Sequence, residues 1–275
     1  MTAMTDLTAD TTDATAGIEP APRFGVADLQ IHTAFGDGMG HAVTVLDWVE
    51  QRTELDVIAV TDHDDIGGAL MARELHAARS YQFEFVPGIE VTTRSGHLLG
   101  LWVDEPVPSF RSLSETVAKI HRLGGLAIIP HPFSYLTRSV GRRALERLLR
   151  EDDPETRPDA IELANPSLAG RVTRSRARRL NSGRYGLAET GSSDAHFVEE
   201  IGTARTLFRG TTAEALRGEI AAGRTLALMG DPVPLRSIGV RRLLLQQARG
   251  LSVTPRKVLG RPLRRLAGVL TGGSK

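Results

Sequence analysis

Residues 56–64 read DVIAVTDHD, and this stretch decides the fold class. Its first part, VIAV, is continuously apolar, which is typical of a strand buried on both faces within a parallel sheet that helices cover. Its second part, TDHD, places carboxylates and an imidazole directly after that strand. Ligands of parallel β/α folds bind where the strands end. The stretch therefore predicts an α/β fold with chemically active side chains at the carboxyl end of a buried strand.

The same pattern recurs along the chain. Short apolar runs occupy residues 24–31, 56–60, 83–91, 97–103, 125–130, 159–164, 185–190 and 204–210. Several are separated by segments with apolar residues at helical spacing, such as 113–123, for which Ser112 and Ser114 are candidate caps and Gly124 is a stop signal. About seven strand–helix alternations favour either a closed barrel or a doubly wound sheet.

Side chains that bind metals cluster at the ends or starts of six of these runs. The clusters are Gln30 to His32 with the later Asp37, Thr61 to Asp64, Glu90, His97, Pro130 to Pro132, and Gly191 to His196. A closed barrel brings the ends of all its strands to one rim, whereas an open sheet spreads them across a wide crevice. Polar clusters that converge therefore favour a single-domain barrel.

The candidate metal ligands combine imidazoles with carboxylates. They are His32, Asp37, His63, Glu90, His97, His131, Asp194 and His196. This mixture suits zinc, manganese or iron better than magnesium or calcium. Eight ligands exceed the needs of one tetrahedral ion, so we predict two or three divalent ions that share a bridging carboxylate, for which Glu90 is the candidate. Clustered ions clamp the attacking and leaving oxygens of a displacement and supply a metal-bound hydroxide, which suits the hydrolysis of phosphate esters.

Each histidine could instead be an ordinary polar residue of a surface loop. Five of the eight histidines lie at the ends or starts of strands, which this alternative does not explain. His41, His76 and His121 do fit it. Asp62 and Asp64 could bind metal or could hold His63 from behind, and we favour the second role.

Composition excludes several other classes of protein. There are no cysteines, which excludes disulfides, thiolate zinc sites and cysteine nucleophiles. The glycines around Asp37 are not followed by Gly-Lys-Ser or Gly-Lys-Thr, which excludes a nucleotide P-loop. No apolar run approaches the roughly 20 residues of a transmembrane segment, and the N-terminus lacks the pattern of a secretory signal. We therefore expect a cytoplasmic protein without a transmembrane segment.

Five segments together resemble the PHP (polymerase and histidinol phosphatase) family. They are ADLQIHTAFGDG (27–38), VIAVTDHDDIGG (57–68), PGIEVTT (87–93), AIIPHP (127–132) and GSSDAH (191–196). The resemblance covers residues 24 to about 230. It implies a distorted (β/α)7 barrel of the TIM type, with two or three ions of manganese, zinc or iron at its mouth, and the hydrolysis of phosphate esters.

The resemblance also implies how the ligands are shared. The expected groups are Glu90, His97 and His131 around one ion, Asp37, His63 and His196 around another, and His32, Glu90 and Asp194 around a third. The position of Asp37 and the separate His97 look most like the branch of the family that contains nucleoside-bisphosphate phosphatases and 5′–3′ exonucleases on short RNA or DNA.

Gln30 departs from the family pattern. Family members typically have His-x-His at the first strand, whereas this chain has Gln30 before His32. An amide oxygen is a weaker ligand than imidazole, so the ion shared by His32, Glu90 and Asp194 is expected to bind loosely or not at all. Our hypothesis is that the other two ions are well held and that activity persists.

The functional expectation is an enzyme that hydrolyses a small phosphorylated metabolite or nucleotide, with Glu90, His63 and Asp194 as the catalytic residues. Arg138 and Arg171 each follow a strand-end cluster and are candidate ligands of a substrate phosphate. One alternative is a 5′–3′ exonuclease on short oligonucleotides, although aromatic residues, which stack on bases, make up only 5% of the chain. Others are a metal-binding regulatory protein weakened by Gln30, and a metal amidohydrolase.

Charge is unevenly distributed along the chain. Residues 231–275 contain ten Lys or Arg and one acid, a net charge of +9, which leaves −8 for residues 1–230 because the whole chain carries +1. We therefore expect a disordered leader over 1–22, a catalytic barrel over 23–230 and a basic, partly helical tail over 231–275. The tail could contact an anionic membrane or nucleic acid. Deleting 250–275 and measuring liposome and oligonucleotide binding distinguishes this role from simple packing.

Overall fold

The computed structural model of the chain describes residues 23–151 and 153–251. Within them, nine strands form one sheet in the order β7-β6-β5-β4-β3-β2-β1-β8-β9. The strands are β1 (Phe24–Ile31), β2 (Val57–Val60), β3 (Glu84–Thr93), β4 (Gly96–Leu101), β5 (Leu126–Ile129), β6 (Ala160–Ala164), β7 (Ala188–Gly191), β8 (Ala204–Arg209) and β9 (Leu226–Met229). The expected leader 1–22 and residues 252–275 of the expected basic tail lie outside the described residues.

Seven helices connect or follow these strands. They are α1 (Ala42–Arg52), α2 (Gly67–Ala77), α3 (Leu113–Arg122), α4 (Arg142–Leu148), α5 (Leu168–Leu180), α6 (Ala213–Ala221) and α7 (Leu235–Ile238). A π-helical turn (Asn181–Tyr185), a 3-10 turn (Val198–Glu200) and a further helix over 240–251 complete the described segments. Among these segments no helix is both long and apolar enough to cross a bilayer.

The sheet curves until its ends nearly meet, which confirms the predicted barrel. Thr206 in β8 accepts a hydrogen bond from the amide of Gly191 at 3.0 Å and donates one to the Gly191 carbonyl at 2.9 Å. Thr225 donates to the carbonyl of Glu189 at 2.7 Å. These side chains link β8 and the start of β9 to β7, so the barrel is closed by threonines where a continuous backbone ladder is lacking.

The barrel is mixed in strand direction, unlike the parallel sheet that the buried runs suggested. β2 is parallel to both neighbours, but β4 runs antiparallel to β3 and β5, and β8 runs antiparallel to β1 and β9. Only Arg94 and Ser95 separate β3 from β4. A parallel connection needs a crossover of about a dozen residues, so a two-residue link makes a hairpin. Because β4 is antiparallel, its start, rather than its end, lies at the barrel mouth.

The core explains the continuously apolar runs. Every residue of β2, β5 and β6 is buried, because the strands have the barrel interior on one face and helices on the other. The predicted boundaries of α3 are confirmed: Ser112 forms a capping box with Glu115, and Gly124 follows the last turn at a φ of +76°. Strand β9 and helix α5 were not predicted, since β9 is short and partly exposed and α5 carries five arginines that interrupt its apolar spacing.

Gly96 is a position where only glycine fits, and it begins the strand that carries His97. Its φ is +131°, and an added Cβ would overlap the backbone of Ser139 and Val140. We expect Gly96→Ala to lower the free energy of unfolding by about 2 kcal/mol or more, because strain and steric overlap add. Denaturant-induced unfolding measures this change.

Gly218→Ala is the matched control, since Gly218 lies inside α6 and an added Cβ there meets no atom within 4 Å. Alanine in a helix interior is expected to stabilise the protein by about 0.5–1 kcal/mol. Equal effects of the two substitutions would contradict the assignment of Gly96 as a constrained position.

Candidate metal centre

All eight predicted ligands meet at one end of the barrel. Three overlapping groups have ligand atoms within 4.8 Å of one another. They are His32–Asp37–His63–His196, His63–Glu90–His97, and His32–Glu90–Asp194. His131, the eighth ligand, joins them through its Nε2, which lies 3.1 Å from Glu90 Oε1. Side chains from β3 and β4 and from the segments after β1, β2, β5 and β7 therefore share one site.

Glu90 lies at the middle of this cluster and is fully buried. Its Oε1 is 2.7 Å from His97 Nδ1 and 3.1 Å from His131 Nε2. Its Oε2 is 3.2 Å from His32 Nε2 and 3.5 Å from His63 Nδ1. Burial is the largest influence and favours the neutral acid, but the four surrounding imidazoles together outweigh it and hold the pKa of Glu90 well below its usual range. One carboxylate that faces ligands on both oxygens has the arrangement of a bridge between ions.

Asp37, His63 and His196 form the outer side of the centre. His196 Nε2 lies 3.2 Å from Asp37 Oδ2, and His63 Nε2 lies 3.9 Å from the same oxygen. The ring of His196 stacks on that of His32, with centroids 4.3 Å apart. The side chains of His63 and His196 are 14% and 20% exposed, whereas that of His32 is fully buried. A substrate would therefore reach the centre from the side of His63 and His196.

The donor set fits divalent cations. Both ring nitrogens of His32 and Oδ1 of Asp37 are buried and have no hydrogen-bond partner among the described residues. Within the same residues no Lys or Arg forms an ion pair with Glu90, Asp37 or Asp194. Burying several carboxylates without a compensating charge is costly. Cations bound between the carboxylates and imidazoles would supply that charge and use the unpaired nitrogens.

Without ions, protonated imidazoles balance the acids. Burial lowers the pKa of His131, but the hydrogen bond and charge of Glu90 outweigh burial and raise this pKa to about 9. His63 behaves in the opposite way, because burial dominates and lowers its pKa to about 4. An imidazole must be neutral to bind metal, so cations and protons compete for this centre.

Residues with a strained backbone conformation orient side chains in and beside the centre. His131 and Asp194 adopt positive φ values of 30° and 55°, and Asp64 has a φ of 54°. Such conformations cost on the order of 1–3 kcal/mol each for residues other than glycine. Asp64 is held by three hydrogen bonds, from the amide and hydroxyl of Thr92 and from the hydroxyl of Ser109. Asp62 accepts two from Thr33, so both acids brace the loops beside the centre.

Other buried polar residues support the ligands, although their positions in the sequence did not indicate this role. The carboxylate of Glu162 accepts a hydrogen bond from the backbone amide of His131 at 2.7 Å and another from the side-chain Nδ2 of Asn165 at 2.8 Å. Burial raises the pKa of Glu162 to about 8. Asp28 accepts the amides of Ser193 and Gly202 at 2.9 and 2.8 Å. Glu162 and Asp28 are acids inside the apolar runs DAIELA and FGVADLQI, and that interruption was the available signal.

Among the described residues, the side chains of the two predicted substrate arginines form no ion pair or hydrogen bond with the ligands. Arg138 is exposed and its guanidinium lies 5.6 Å from the ring centroid of Phe110, while its backbone carbonyl accepts a hydrogen bond from the His97 amide at 2.7 Å. Arg171 lies in α5 and lines a cavity of about 220 Å³ together with Arg174 and Pro166. That cavity opens at the same end of the barrel, because Pro166 follows β6 and Asn165.

Known proteins share this sequence pattern and fold. Residues 174–225 match the family described as PHP-associated. Uncharacterized protein MJ1587 of Methanocaldococcus jannaschii is 35% identical over 130 residues, which are 44% of this chain and 75% of that protein. A two-domain protein of Bacteroides vulgatus that contains a predicted PHP-like metal-dependent phosphoesterase superposes with a TM-score of 0.60 at 17% identity, over 83% of this chain and 70% of that one.

The chain belongs to the PHP family. A more distant relative is the 5′-3′ exoribonuclease Rnm of Salmonella typhimurium, which is 26% identical over 208 residues, or 73% of this chain. The chain spans 55% of the length of Rnm and 51% of that of a second Methanocaldococcus jannaschii relative, MJ0417. The lesion-specific endonuclease PfuEndoQ of Pyrococcus furiosus has the same fold, with a TM-score of 0.53 at 14% identity over 73% of this chain and 56% of that one.

Gln30 occupies the position that departs from the PHP pattern, and the structure shows its contacts. It is fully buried, and its Nε2 donates to Glu90 Oε2 at 3.0 Å and to Asp194 Oδ1 at 3.2 Å. Its Oε1 has no hydrogen-bond partner among the described residues. The amide therefore occupies the space between the two carboxylates with a neutral donor. A 180° rotation of the amide would turn Oε1 toward a cation held there.

Gln30→His is expected to strengthen the binding of the ion shared by His32, Glu90 and Asp194, because imidazole replaces an amide that competes for the same carboxylates. The expected gain in affinity is about 10-fold or more, as for other changes beside metal ligands. Titration calorimetry with Mn²⁺ and metal analysis of the purified protein measure it.

Gln82→His is the control, since Gln82 is exposed and lies outside the centre. An unchanged affinity and metal content in Gln30→His would show that Gln30 does not limit this ion. Well under one ion per chain in the parent protein would contradict the hypothesis that two ions are well held.

Proposed function

We propose that this PHP protein hydrolyses phosphate esters with the help of divalent ions held by the eight converging ligands. The observation that carries the proposal is the fully buried Glu90 with four imidazoles around its two oxygens. Such a carboxylate suits a bridge between ions, and clustered ions are the common means of stabilising phosphoryl transfer to water.

Each group of ligands would hold one ion. Glu90, His97 and His131 would form one set, Asp37, His63 and His196 a second, and His32, Glu90 and Asp194 a third that Gln30 weakens. When bound, two or three ions of Mn²⁺, Zn²⁺ or Fe²⁺ lower the pKa of a water molecule and stabilise negative charge on the phosphoryl oxygens. We assign Glu90, His63 and Asp194 as catalytic residues.

The protein's own residues prepare the site for this reaction. Glu162 and Ser139 hold His131 in place through its backbone amide and its Nδ1, the latter at 2.9 Å. Asn165 lies between Glu162 and Asp194, and its Nδ2 is 3.4 Å from Asp194 Oδ2. These contacts fix the ligands before substrate arrives, which lowers the cost of reorganisation during the reaction.

The substrate proposed is a small phosphorylated metabolite or nucleotide. The relative Rnm is named a 5′-3′ exoribonuclease, but this chain spans 55% of it at 26% identity, and we do not favour exonuclease activity. The alternative is a regulatory protein without catalytic activity, and the following experiment distinguishes it from an enzyme.

Glu90→Gln is expected to lower kcat for phosphate ester hydrolysis by about 100-fold or more, because it keeps the shape and hydrogen bonding of the side chain but removes the bridging charge. The assay is the release of inorganic phosphate from an aryl phosphate, nucleotides, nucleoside bisphosphates and short RNA, with Mn²⁺ present. His63→Ala is assayed beside it.

Glu105→Gln is the matched control, because Glu105 is exposed and pairs only weakly with Lys119, at 4.0 Å. It should keep the activity of the parent protein. If the parent protein releases no phosphate from any of these compounds while it binds ions, the hydrolase proposal is wrong and the regulatory alternative remains.

The cavity beside α5 is the proposed site for a further anionic group of the substrate. Arg171 and Arg174 line it, no acidic residue does, and neither guanidinium has an ion-pair or hydrogen-bond partner among the described residues. Burial lowers the pKa of Arg174, and the neighbouring charge of Arg178 adds to this effect. Two cations that lack counter-charges suit a phosphate or carboxylate.

The double substitution Arg171→Gln and Arg174→Gln is expected to raise KM by about 10-fold for the substrate that the screen identifies, with little change in kcat, because charge-assisted hydrogen bonds are lost away from the reacting atoms. Arg176→Gln, on another face of α5, should leave KM unchanged. Steady-state kinetics test this, and an equal effect of Arg176→Gln would exclude a role specific to the cavity.

A further inference from the structure

A C-terminal helix, residues 240–251, lies against the outer side of the metal centre. It follows Gly239, whose φ of +85° turns the chain after α7. Its inward residues recur at helical spacing and are largely polar: Arg242, Gln246 and Arg249, with Gly250 beside the last. Its opposite side carries Val240, Leu244 and Leu251, which are 73%, 65% and 83% exposed. Polar contacts, more than apolar packing, therefore hold this helix in place.

One end of the helix is attached to the turn that follows His196. The guanidinium of Arg242 donates two hydrogen bonds to the carboxylate of Glu199, at 2.6 and 3.1 Å. The same guanidinium lies 5.0 Å from the ring centroid of Phe197. Paired hydrogen bonds between Arg and a carboxylate fix geometry as well as adding energy. Arg242 thus fixes the position of the residues directly after His196.

The other end is attached to the loop that carries Asp37. Arg249 Nη2 donates to the carbonyls of Ala34 at 2.8 Å and Gly36 at 3.2 Å. At Gly250 the helix passes so close that an added Cβ would lie 3.3 Å from Asp37 Oδ2. Asp37 is 3% exposed. The helix therefore covers this carboxylate and orients its loop.

These two attachments involve the two loops that supply one group of ligands. His196 Nε2 and Asp37 Oδ2 are 3.2 Å apart, and the backbones of the two loops are joined by hydrogen bonds from Met39 N to His196 O at 2.7 Å and from His32 N to Ala195 O at 2.9 Å. By contrast, Glu90 and His97 lie within neighbouring strands of the barrel. Asp37 and His196 therefore lie on the two loops that the helix connects, and Asp194 lies two residues before His196 on the second of them.

We propose that Arg242 and Arg249 are positioning residues, and that docking of the helix 240–251 sets the affinity of the ion held by Asp37, His63 and His196. The inference rests on the metal centre of the proposed function. The groups around Glu90, His97 and His131 keep their geometry whether or not the helix is docked. The helix thereby couples the C-terminal segment to the occupancy of one ion.

The test measures Mn²⁺ binding to the full-length protein by titration calorimetry, with no substrate present. Arg249→Gln and Arg242→Glu are each expected to weaken one binding step by about 10-fold or more and to leave the others unchanged, as for changes that act through a metal ligand. Glu199→Arg combined with Arg242→Glu should restore the affinity, because the ion pair re-forms with reversed charges.

Two controls identify the ion concerned. Arg241→Gln removes an exposed arginine from the same helix and should change nothing. Asp37→Ala should abolish the same binding step, and adding Arg249→Gln to Asp37→Ala should have no further effect. A non-additive result of this kind assigns the effect of Arg249 to the ion of Asp37.

Unchanged binding in Arg249→Gln and Arg242→Glu would overturn the proposal. So would a uniform weakening of every step together with a lower Tm of the metal-free protein, which would indicate general destabilisation. Binding and hydrolysis are measured separately, so an inactive protein with the expected binding pattern would refute only the proposed reaction. A parent protein that binds no Mn²⁺ would refute both.

Discussion

The carboxylate of Glu90 is the group on which the site depends. It is fully buried at one end of the barrel, and it has four imidazoles and the amide of Gln30 around its two oxygens. An isolated charge in that position would be strongly unfavourable. Protonated imidazoles compensate for this negative charge. When the imidazoles are neutral, divalent cations compensate for it instead. The surrounding polar residues allow both the metal-free centre with protonated imidazoles and the metal-bound centre with neutral imidazoles.

The mixed direction of the strands explains how one carboxylate acquires so many partners. In a fully parallel barrel, each strand contributes its carboxyl end and the following loop to the mouth. Here the β3–β4 hairpin returns immediately, so that Thr92 pairs with His97 and Glu90 pairs with Leu99. Glu90 and His97 therefore lie on adjacent strands within 2.7 Å of each other. Strand positions hold ligands more rigidly than loops do, and the two inner ligands have this support.

The convergence of the eight candidate ligands was predictable because most of them follow or begin an apolar run. That local pattern is enough to place His32, His63, His131 and His196 at strand ends, and a barrel then brings the strand ends together. The roles of Glu162 and Ser139 were not predictable in this way, because each depends on a contact with His131 that only the closed barrel creates.

Strand β9 and the inward face of the helix 240–251 were missed for a related reason. β9 is short and half exposed, so its sequence lacks the continuous apolar run that marked the other strands. The helix 240–251 falls in the part of the sequence that read as a basic tail, where arginines suggested contact with an anionic surface. In the structure Arg242 and Arg249 point instead to Glu199 and to loop carbonyls. Charge alone predicts an affinity for anions but not whether the partner lies within the same chain.

The centre has an inner half and an outer half that differ in how their ligands are supported. In the inner half, Glu90 and His97 lie on strands of the barrel, and His131, just after β5, is held by Glu162 and Ser139. The outer half relies on Asp37 and His196, whose loops are joined by backbone hydrogen bonds and by the helix 240–251. Exposed ion pairs contribute little to folding stability, typically about 1 kcal/mol or less. The helix is held by one partly exposed ion pair, that of Arg242 with Glu199, and by the hydrogen bonds of Arg249 to loop carbonyls. Since detachment of the helix would not require the barrel to unfold, the outer half is the side of the centre that is easiest to change.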